Sequence, residues 1–267
     1  MRKIAFYFGI VLILVSSIIG GTMHGKKDND YSTPLIVLAV GLVCLLFSLK
    51  GRSSEEEILD EEIVKCKKRI LISVTDKTGI EKFGQLLSIG YEIISTGGTL
   101  KYLTEHGIPC IPIEDITGFP EMMDGRLKTL NPYIFGGILA DTFNKEHLEV
   151  IAENGIDLID IVVVNFYDFN ADKRMEKIDI GGPSLLRAAS KNGTSAIPLI
   201  DPADYDEVIK AIIKENDWRD EEIGTLIPDG IRKRLVLKVF RATCQYDREI
   251  YQWMESCNSD EKNFFKQ

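Results

Sequence analysis

The sequence predicts an α/β domain built on a doubly wound parallel sheet with C-terminal helices, preceded by a two-helix transmembrane hairpin. Short β-branched runs at residues 69–74, 91–94, 108–113, 159–165 and 196–200 alternate with amphipathic stretches, the mark of repeated strand–turn–helix units. The run at 159–165 is Val and Ile up to Asn165 but for Asp160, as in strands covered on both faces. Residues 1–50 are a different material, with two uncharged apolar stretches at 4–23 and 31–49, each about long enough to cross a ~30 Å hydrocarbon core as a helix.

The hairpin reading joins those stretches through the polar loop 24–30. A cleavable signal peptide is the alternative for the first stretch, since Met1-Arg2-Lys3 fits its basic start. Against it, Ser-Ser-Ile-Ile-Gly-Gly (16–21) is a poor cleavage site, and a second span follows at once. Arg2, Lys3, Lys50, Arg52, Lys65, Lys67, Lys68 and Arg69 outweigh Lys26 and Lys27 in the loop. The positive-inside rule then puts both termini, and the soluble domain, on the cytoplasmic side of a membrane. Residues 51–67 read as a charged linker, 68–257 as the folded domain and 258–267 as a polar tail.

Within that domain the run 69–74 ends in Thr75-Asp-Lys-Thr-Gly79, and apolar residues at 80, 83, 86, 87 and 89 follow at helical spacing. The strand 91–94 turns through Ser95-Thr-Gly-Gly-Thr99 into a helix carrying Leu100 and Leu103. A third strand is expected at 108–113, and Asp201-Pro-Ala-Asp-Tyr leads into a helix over 206–214. Residues 223–255 carry no strand signal and read as two closing helices.

A formal net charge of −9 argues against general nucleic-acid binding, so an anionic ligand must be held by local cations and backbone N–H groups. The five cysteines, at 44, 66, 110, 244 and 257, form no CxxC or Cys/His spacing, which indicates neither a zinc site nor a disulfide framework. Function in doubly wound sheets collects beyond the carboxyl ends of the strands. There the chain puts Ser73-Val-Thr-Asp-Lys-Thr-Gly79 and Ser95-Thr-Gly-Gly-Thr99. Glycine lets a phosphate approach the backbone, hydroxyls donate to it, and a helix N-terminus favours its charge.

Taken in order, Ser-Val-Thr-Asp-Lys-Thr-Gly (73–79), Ser-Thr-Gly-Gly-Thr (95–99), Thr-Gly-Phe-Pro-Glu-Met (117–122), Gly-Arg-Leu-Lys-Thr-Leu (125–130), Gly-Gly-Ile-Leu-Ala (136–140), Val-Val-Asn-Phe-Tyr (163–167), Ile-Asp-Ile-Gly-Gly-Pro-Ser-Leu-Leu-Arg-Ala-Ala-Ser-Lys-Asn (178–192) and Asp-Pro-Ala-Asp-Tyr (201–205) resemble the IMP cyclohydrolase half of the bifunctional purine-biosynthesis enzyme. The match runs from about Lys68 to Met254. It implies a methylglyoxal synthase-like fold that closes the six-membered ring of inosinate from formylated aminoimidazole-carboxamide ribotide, with loss of water. It also implies that no metal or cofactor is needed.

The resemblance makes Thr75, Asp76, Lys77 and Thr78 a first nucleotide-binding turn and Thr96, Gly97, Gly98 and Thr99 a second. Arg126, Lys128 and Thr129 are similar to the family's central substrate strip, and Asn165 with Tyr167 to its strand-end pair. Asp179, Ile180 and Gly181 match the next contact, and Lys191 the proton-transfer lysine. Implied catalytic roles fall to Lys128, Lys191, Asp179 and Tyr167: the lysines stabilise the tetrahedral oxygen and shuttle protons, Asp179 accepts one from nitrogen, and Tyr167 donates a hydrogen bond. Each has a plainer alternative, Asp179 as a turn or N-cap residue, Lys191 as a solvated helix C-terminal charge, and Tyr167 as core with a polar tip.

The chain departs from the family where histidines are usual, at Asn131, Phe135 and Gly193, and the stretch 170–177 is shorter than usual. The transformylase half has no counterpart in this sequence. A competing reading is a purine-nucleotide-binding regulatory module that turns over little; a third is methylglyoxal synthase-type phosphate elimination. The partners implied are the purine ribonucleotide substrate, a second copy in a homodimer, a separate transformylase, and the membrane through the hairpin.

Overall fold

The computed structural model describes residues 68–257 other than 121, 124–126 and 215–221. In chain order the elements are β1 (Arg69–Ser73), α1 (Ile80–Leu87), β2 (Glu92–Ser95), α2 (Gly97–Glu105), β3 (Ile111–Pro112) and α3 (Ile113–Thr117). Then come α4 (Pro132–Leu139), α5 (Lys145–Glu153), β4 (Ile161–Val164), α6 (Gly181–Lys191), β5 (Ile197–Leu199), α7 (Tyr205–Ile212), α8 (Ile223–Leu226) and α9 (Asp229–Ser256). The strands form one five-stranded sheet in the order β3-β2-β1-β4-β5, with every pairing parallel.

Alternation along β1 sorts its side chains into two cores. Ile70 and Ile72 join Ile80, Phe83 and Leu87 of α1 with Val208 and Ile212 of α7 on one face. Leu71 joins Ile134 and Ile138 of α4 with Leu185 and Leu186 of α6 on the other. Helix α9 closes both, contributing Leu235 to the first cluster and Val239 to the second. The doubly wound parallel sheet with closing C-terminal helices is therefore as the sequence predicts. Its third strand is shorter than the expected 108–113, because Pro112 has no N–H to give a ladder and α3 starts immediately after it.

Helices α4 and α5 carry no clear periodic signal, and their caps define them instead. The Asn131 side chain accepts from Tyr133 N at 2.9 Å, with Pro132 at the first helical position, and Asn144 accepts from Glu146 N at 3.0 Å. Helix α4 packs so closely that a Cβ on Gly137 would stand 2.4 Å from the Asp157 carbonyl oxygen. That neighbour is backbone and cannot turn aside. Gly137→Ala is expected to destabilise the domain by about 1–3 kcal/mol, seen as a lower urea midpoint at unchanged slope; an unchanged midpoint would refute the close contact.

The expected membrane anchorage is corrected. No helix among the described residues is long and apolar enough to cross a membrane. The longest, α9, carries Arg232, Lys233, Arg234, Lys238 and Arg241 along its first half, a charge density that hydrocarbon would not accept. The spans read at 4–23 and 31–49 lie outside the described residues, as do the linker 51–67 and the tail 258–267.

Candidate active site

The order β3-β2-β1-β4-β5 reverses direction between β1 and β4, and the crevice beyond the carboxyl ends of those two strands is the switch point where open α/β sheets bind ligands. A cleft of about 990 Å³ opens there, lined by Thr75, Lys77, Thr96, Gly97, Gly98, Thr99, Lys128, Thr129, Asn165, Tyr167, Asp179, Ile180 and Gly181. Residues expected from five separated stretches of sequence are thus brought to one cleft. Arg126 lies outside the described residues.

The turn after β1 is held by Asn165, just past β4. Its Oδ1 accepts from Thr75 N at 2.6 Å and Asp76 N at 3.0 Å, and its Nδ2 donates to Asp76 O at 3.1 Å. Asp76 Oδ1 in turn accepts from Thr78 Oγ1 at 2.6 Å and Thr78 N at 2.9 Å, bonds that hold its carboxyl below the usual carboxylate range. This turn is closed on itself, with the Thr75, Asp76 and Thr78 amides already occupied. Thr75 and Lys77 are the residues of this turn that line the cleft, the Lys77 Nζ 5.8 Å from the centre of the Tyr102 ring.

The turn after β2 is built differently. Thr99 Oγ1 is buried, donating to Val74 O at 2.9 Å and accepting from Val74 N at 3.1 Å, so this hydroxyl ties the two turns together instead of facing a ligand. Thr96 Oγ1 pairs with Ser73 Oγ at 3.2 Å. Gly97, at φ 48°, and Gly98 open α2, whose N-terminus no side chain caps. A Cβ on Gly97 would meet Lys128 Nζ at 3.3 Å and one on Gly98 would meet nothing within 4 Å. An uncapped helix N-terminus with a lysine ammonium against it is an arrangement that an anion stabilises.

At the other end of the cleft lies the N-terminus of α6, and here a carboxylate is built in. Asp179 Oδ1 accepts from Gly182 N at 2.9 Å, so the capping role and the cleft position coincide in one residue. Burial raises the Asp179 carboxyl above its ordinary value, against the Gly182 and Gly181 N–H groups that lower it. Thr129 reaches the same place: a Cβ on Gly181 would lie 3.0 Å from Thr129 Oγ1 and 3.9 Å from Asp179 Oδ1. The strip 128–129 thereby spans both ends, Lys128 toward α2 and Thr129 toward α6. Tyr167 and Ile180 stand on the rim, 63% and 58% exposed.

Lys191 is not brought to the cleft. It is the last of the 11 residues of α6 and is exposed, about 15 Å from the Gly181 end at 1.5 Å per residue. The positions where the family's histidines are absent also lie elsewhere. Asn131 caps α4, Phe135 packs against the second core, and Gly193 sits under α9, where a Cβ would be 3.3 Å from Val236 Cγ2.

Besides apolar lining residues, the sequence reading did not pick Ser73, Glu176, Lys177 and Gly182 of the cleft. Ser73 and Gly182 border residues it did pick. Glu176 and Lys177 come from the short segment 170–177, folded as two 3-10 turns, Phe169–Ala171 and Met175–Lys177. That segment is anchored by Phe169, 1% exposed, against Tyr246 and Trp253 of α9. Asp172 draws Arg174 and Lys177 together behind it.

Two family models match the sequence, an MGS-like domain over residues 80–197 and the AICARFT/IMPCHase bienzyme over 189–267. The crystal structure of ForH superposes with a TM-score of 0.63 at 34% identity, covering 70% of this chain and 97% of that one. The chain belongs to the AICARFT/IMPCHase family. Among its relatives, the bifunctional purine biosynthesis protein PurH of Staphylococcus carnosus is 46% identical over 210 residues, 75% of this chain. PurH of Clostridium botulinum strain Langeland is 52% identical over 192 residues. The chain spans only 38% and 37% of the length of those relatives. The relatives are purine biosynthesis proteins and no helix among the described residues is long and apolar enough to cross a membrane; these findings stand against the membrane placement read from residues 1–50.

Proposed function

We propose that this chain acts in purine biosynthesis as an IMP cyclohydrolase, closing the ring of formylated aminoimidazole-carboxamide ribotide to inosinate. The observation that carries the reading is the pairing of two unlike helix ends in one cleft. The N-terminus of α2 is uncapped and has Lys128 against it, whereas the N-terminus of α6 is already occupied by the Asp179 carboxylate. The first suits a ribotide phosphate, with Lys77 beside it; the second suits a group that takes up a proton.

In this mechanism the carboxamide nitrogen attacks the formyl carbon, forming the C–N bond while the carbonyl electrons move to oxygen. Asp179 accepts the proton that nitrogen loses; its raised affinity for protons fits that task. Lys128 stabilises the developing oxygen charge and protonates it to a hydroxyl; the hydroxyl leaves as water with the proton that Asp179 had taken up, while the formamide nitrogen gives its own proton back to Lys128 as the ring C=N bond forms. Tyr167, on the rim, donates a hydrogen bond to the substrate. The relatives named as bifunctional purine biosynthesis proteins support the pathway. Residues 68–257 are proposed as the catalytic domain, with a second copy of the chain and a separate transformylase as partners.

The deciding assay supplies the formylated ribotide to the purified chain and follows inosinate by absorbance. No turnover at any enzyme concentration would sink the cyclohydrolase reading and leave the nucleotide-binding one. Inosinate is further expected to raise the melting temperature more than inosine does. Lys77→Ala should weaken the monophosphate by several-fold and the nucleoside little. Equal weakening of both would remove Lys77 from the phosphate end.

A further inference from the structure

Asp179 is held by more than the helix it caps. Its own backbone N–H donates to the Tyr246 hydroxyl at 2.7 Å, a contact between residues 67 apart in sequence. Tyr246 is 5% exposed, in the middle of α9, and its ring is fixed by Phe166 at 5.3 Å and Phe169 at 6.3 Å between centroids. Phe166 directly follows Asn165, the residue that closes the turn after β1. The carboxyl group also lies close to the first turn of α6. A Cβ on Gly182 would fall 2.5 Å from Asp179 Oδ2 and 3.2 Å from Val164 Cγ1, so the carboxylate lies over the first turn of α6 in space that only a glycine at 182 leaves open.

We propose that Tyr246 is a positioning residue for the reaction: its hydroxyl pins the Asp179 peptide and so aims the Asp179 carboxylate into the cleft. This rests on the cyclohydrolase reading for the chemistry and on geometry alone for the aim. Asp179 can keep its bond to Gly182 in more than one orientation of the 178–180 backbone, because a side chain has two torsions with which to compensate. Fixing the peptide N–H removes that freedom. A group that must meet a substrate nitrogen at hydrogen-bond distance then arrives in place, and losses on the order of 10²-fold accompany misplacements of about 1 Å. Tyr246 touches no substrate in this arrangement, since it does not line the cleft. The same contact ties the site to α9, so that the last helix of the domain takes part in shaping a pocket built from its first strands.

Tyr246→Phe keeps the ring and removes the hydroxyl. In the full chain the variant is expected to lower kcat for ring closure by on the order of tenfold to a hundredfold, with KM changed by less than about threefold and the acid limb of the kcat–pH profile displaced toward lower pH. That displacement is the reading a purely structural role would not give. Freed from its fixed and buried position, the Asp179 carboxyl relaxes toward solvent, and burial is what holds its proton affinity up. The charged groups bordering it in the cleft, Lys77, Lys128, Glu176 and Lys177, and those beside Tyr246 on its helix, Asp247 and Glu249, are unchanged by the substitution.

A second readout does not depend on turnover. The Asp179 carboxyl can be titrated by carbon-13 NMR in the parent and in Tyr246→Phe, using Asp179→Asn to assign it. A downward move of its midpoint in Tyr246→Phe supports the positioning role even if the parent chain proves unable to close the ring, an outcome that would fall on the cyclohydrolase reading alone. Trp253→Phe is the packing control, since it disturbs the same aromatic cluster at Phe169 and spares the hydroxyl. An unchanged Asp179 midpoint in Tyr246→Phe, or an equal shift in Trp253→Phe, would overturn the proposal.

Discussion

Replacing Lys128 with alanine is expected to slow ring closure by on the order of 10²–10³, the loss typical of one oriented donor to charge that develops in the transition state. Affinity for inosinate should fall far less, because the product carries no such charge. Lys128 stands against the N-terminus of α2 while its neighbour Thr129 reaches the Asp179 end, so the alternative is definite: a lysine serving only the phosphate would appear as lost affinity at nearly constant kcat. Single-turnover rates and inosinate titrations on Lys128→Ala separate the two. Lys191→Ala is the companion measurement. With its side chain at the far end of α6, it is expected to change the rate by no more than a few-fold. A loss as large as that of Lys128→Ala would mean that the lysine reaches a cleft in a second copy of the chain.

A second large effect concerns stability, at the opposite end of the sheet. Asp160, just before β4, is 1% exposed, and its carboxylate accepts from Arg69 N at 3.1 Å. Burial pushes this carboxyl up to about 7, with Glu222 adding to the rise and the Arg69 N–H and Lys68 opposing it. The folded-state value therefore lies above the unfolded one. Between about pH 4 and pH 7 the folded protein keeps a proton that the unfolded chain has released, so stability falls as pH rises through that window and levels off above it. The full cost of ionising such a group is ~4 kcal/mol. Asp160→Asn retains an acceptor for Arg69 N and removes the ionisation. It should melt several degrees above the parent at pH 8 and close to it at pH 5. The groups whose carboxyls are lowered, Asp76, Asp172, Asp201 and Asp206, lose their contribution only in more acidic solution and do not confuse the comparison. Parallel melting curves at both pH values would show Asp160 to be ionised at little cost.

Local pattern and physical contact explain which parts of this molecule were legible in its sequence. Strands β1, β2, β4 and β5 are centred on Ile, Val and Leu side chains that are buried on both faces, so composition exposes them. The helices α4 and α5 escaped because Gly136, Gly137 and a mostly exposed α5 give no periodic stripe; caps at Asn131 and Asn144 were the signal available. In the cleft, residues on short turns were found because glycines and hydroxyls mark such turns. What each hydroxyl does was not readable. Thr99 binds its neighbour Val74, and Thr78 binds Asp76, both choices of rotamer that no motif encodes. Tyr246 was invisible for a plainer reason: its partner lies 67 residues away, and nothing around it differs from an ordinary amphipathic helix.

The placing of β1 also has a bearing on how the chain is made. β1 gains its first neighbour, β2, within some twenty residues, but its other edge waits for Ile161–Val164, and Arg69 meets Asp160 across a separation of 91. A ribosome adding ~5–20 residues per second leaves that edge of Ile70, Leu71 and Ile72 unpaired for several seconds, with a flat apolar strand open to any other nascent strand. The order of synthesis thus sets an interval of vulnerability whose length is fixed by the crossover from β3 to β4, and the pocket, which straddles that same seam, cannot exist until the interval has closed.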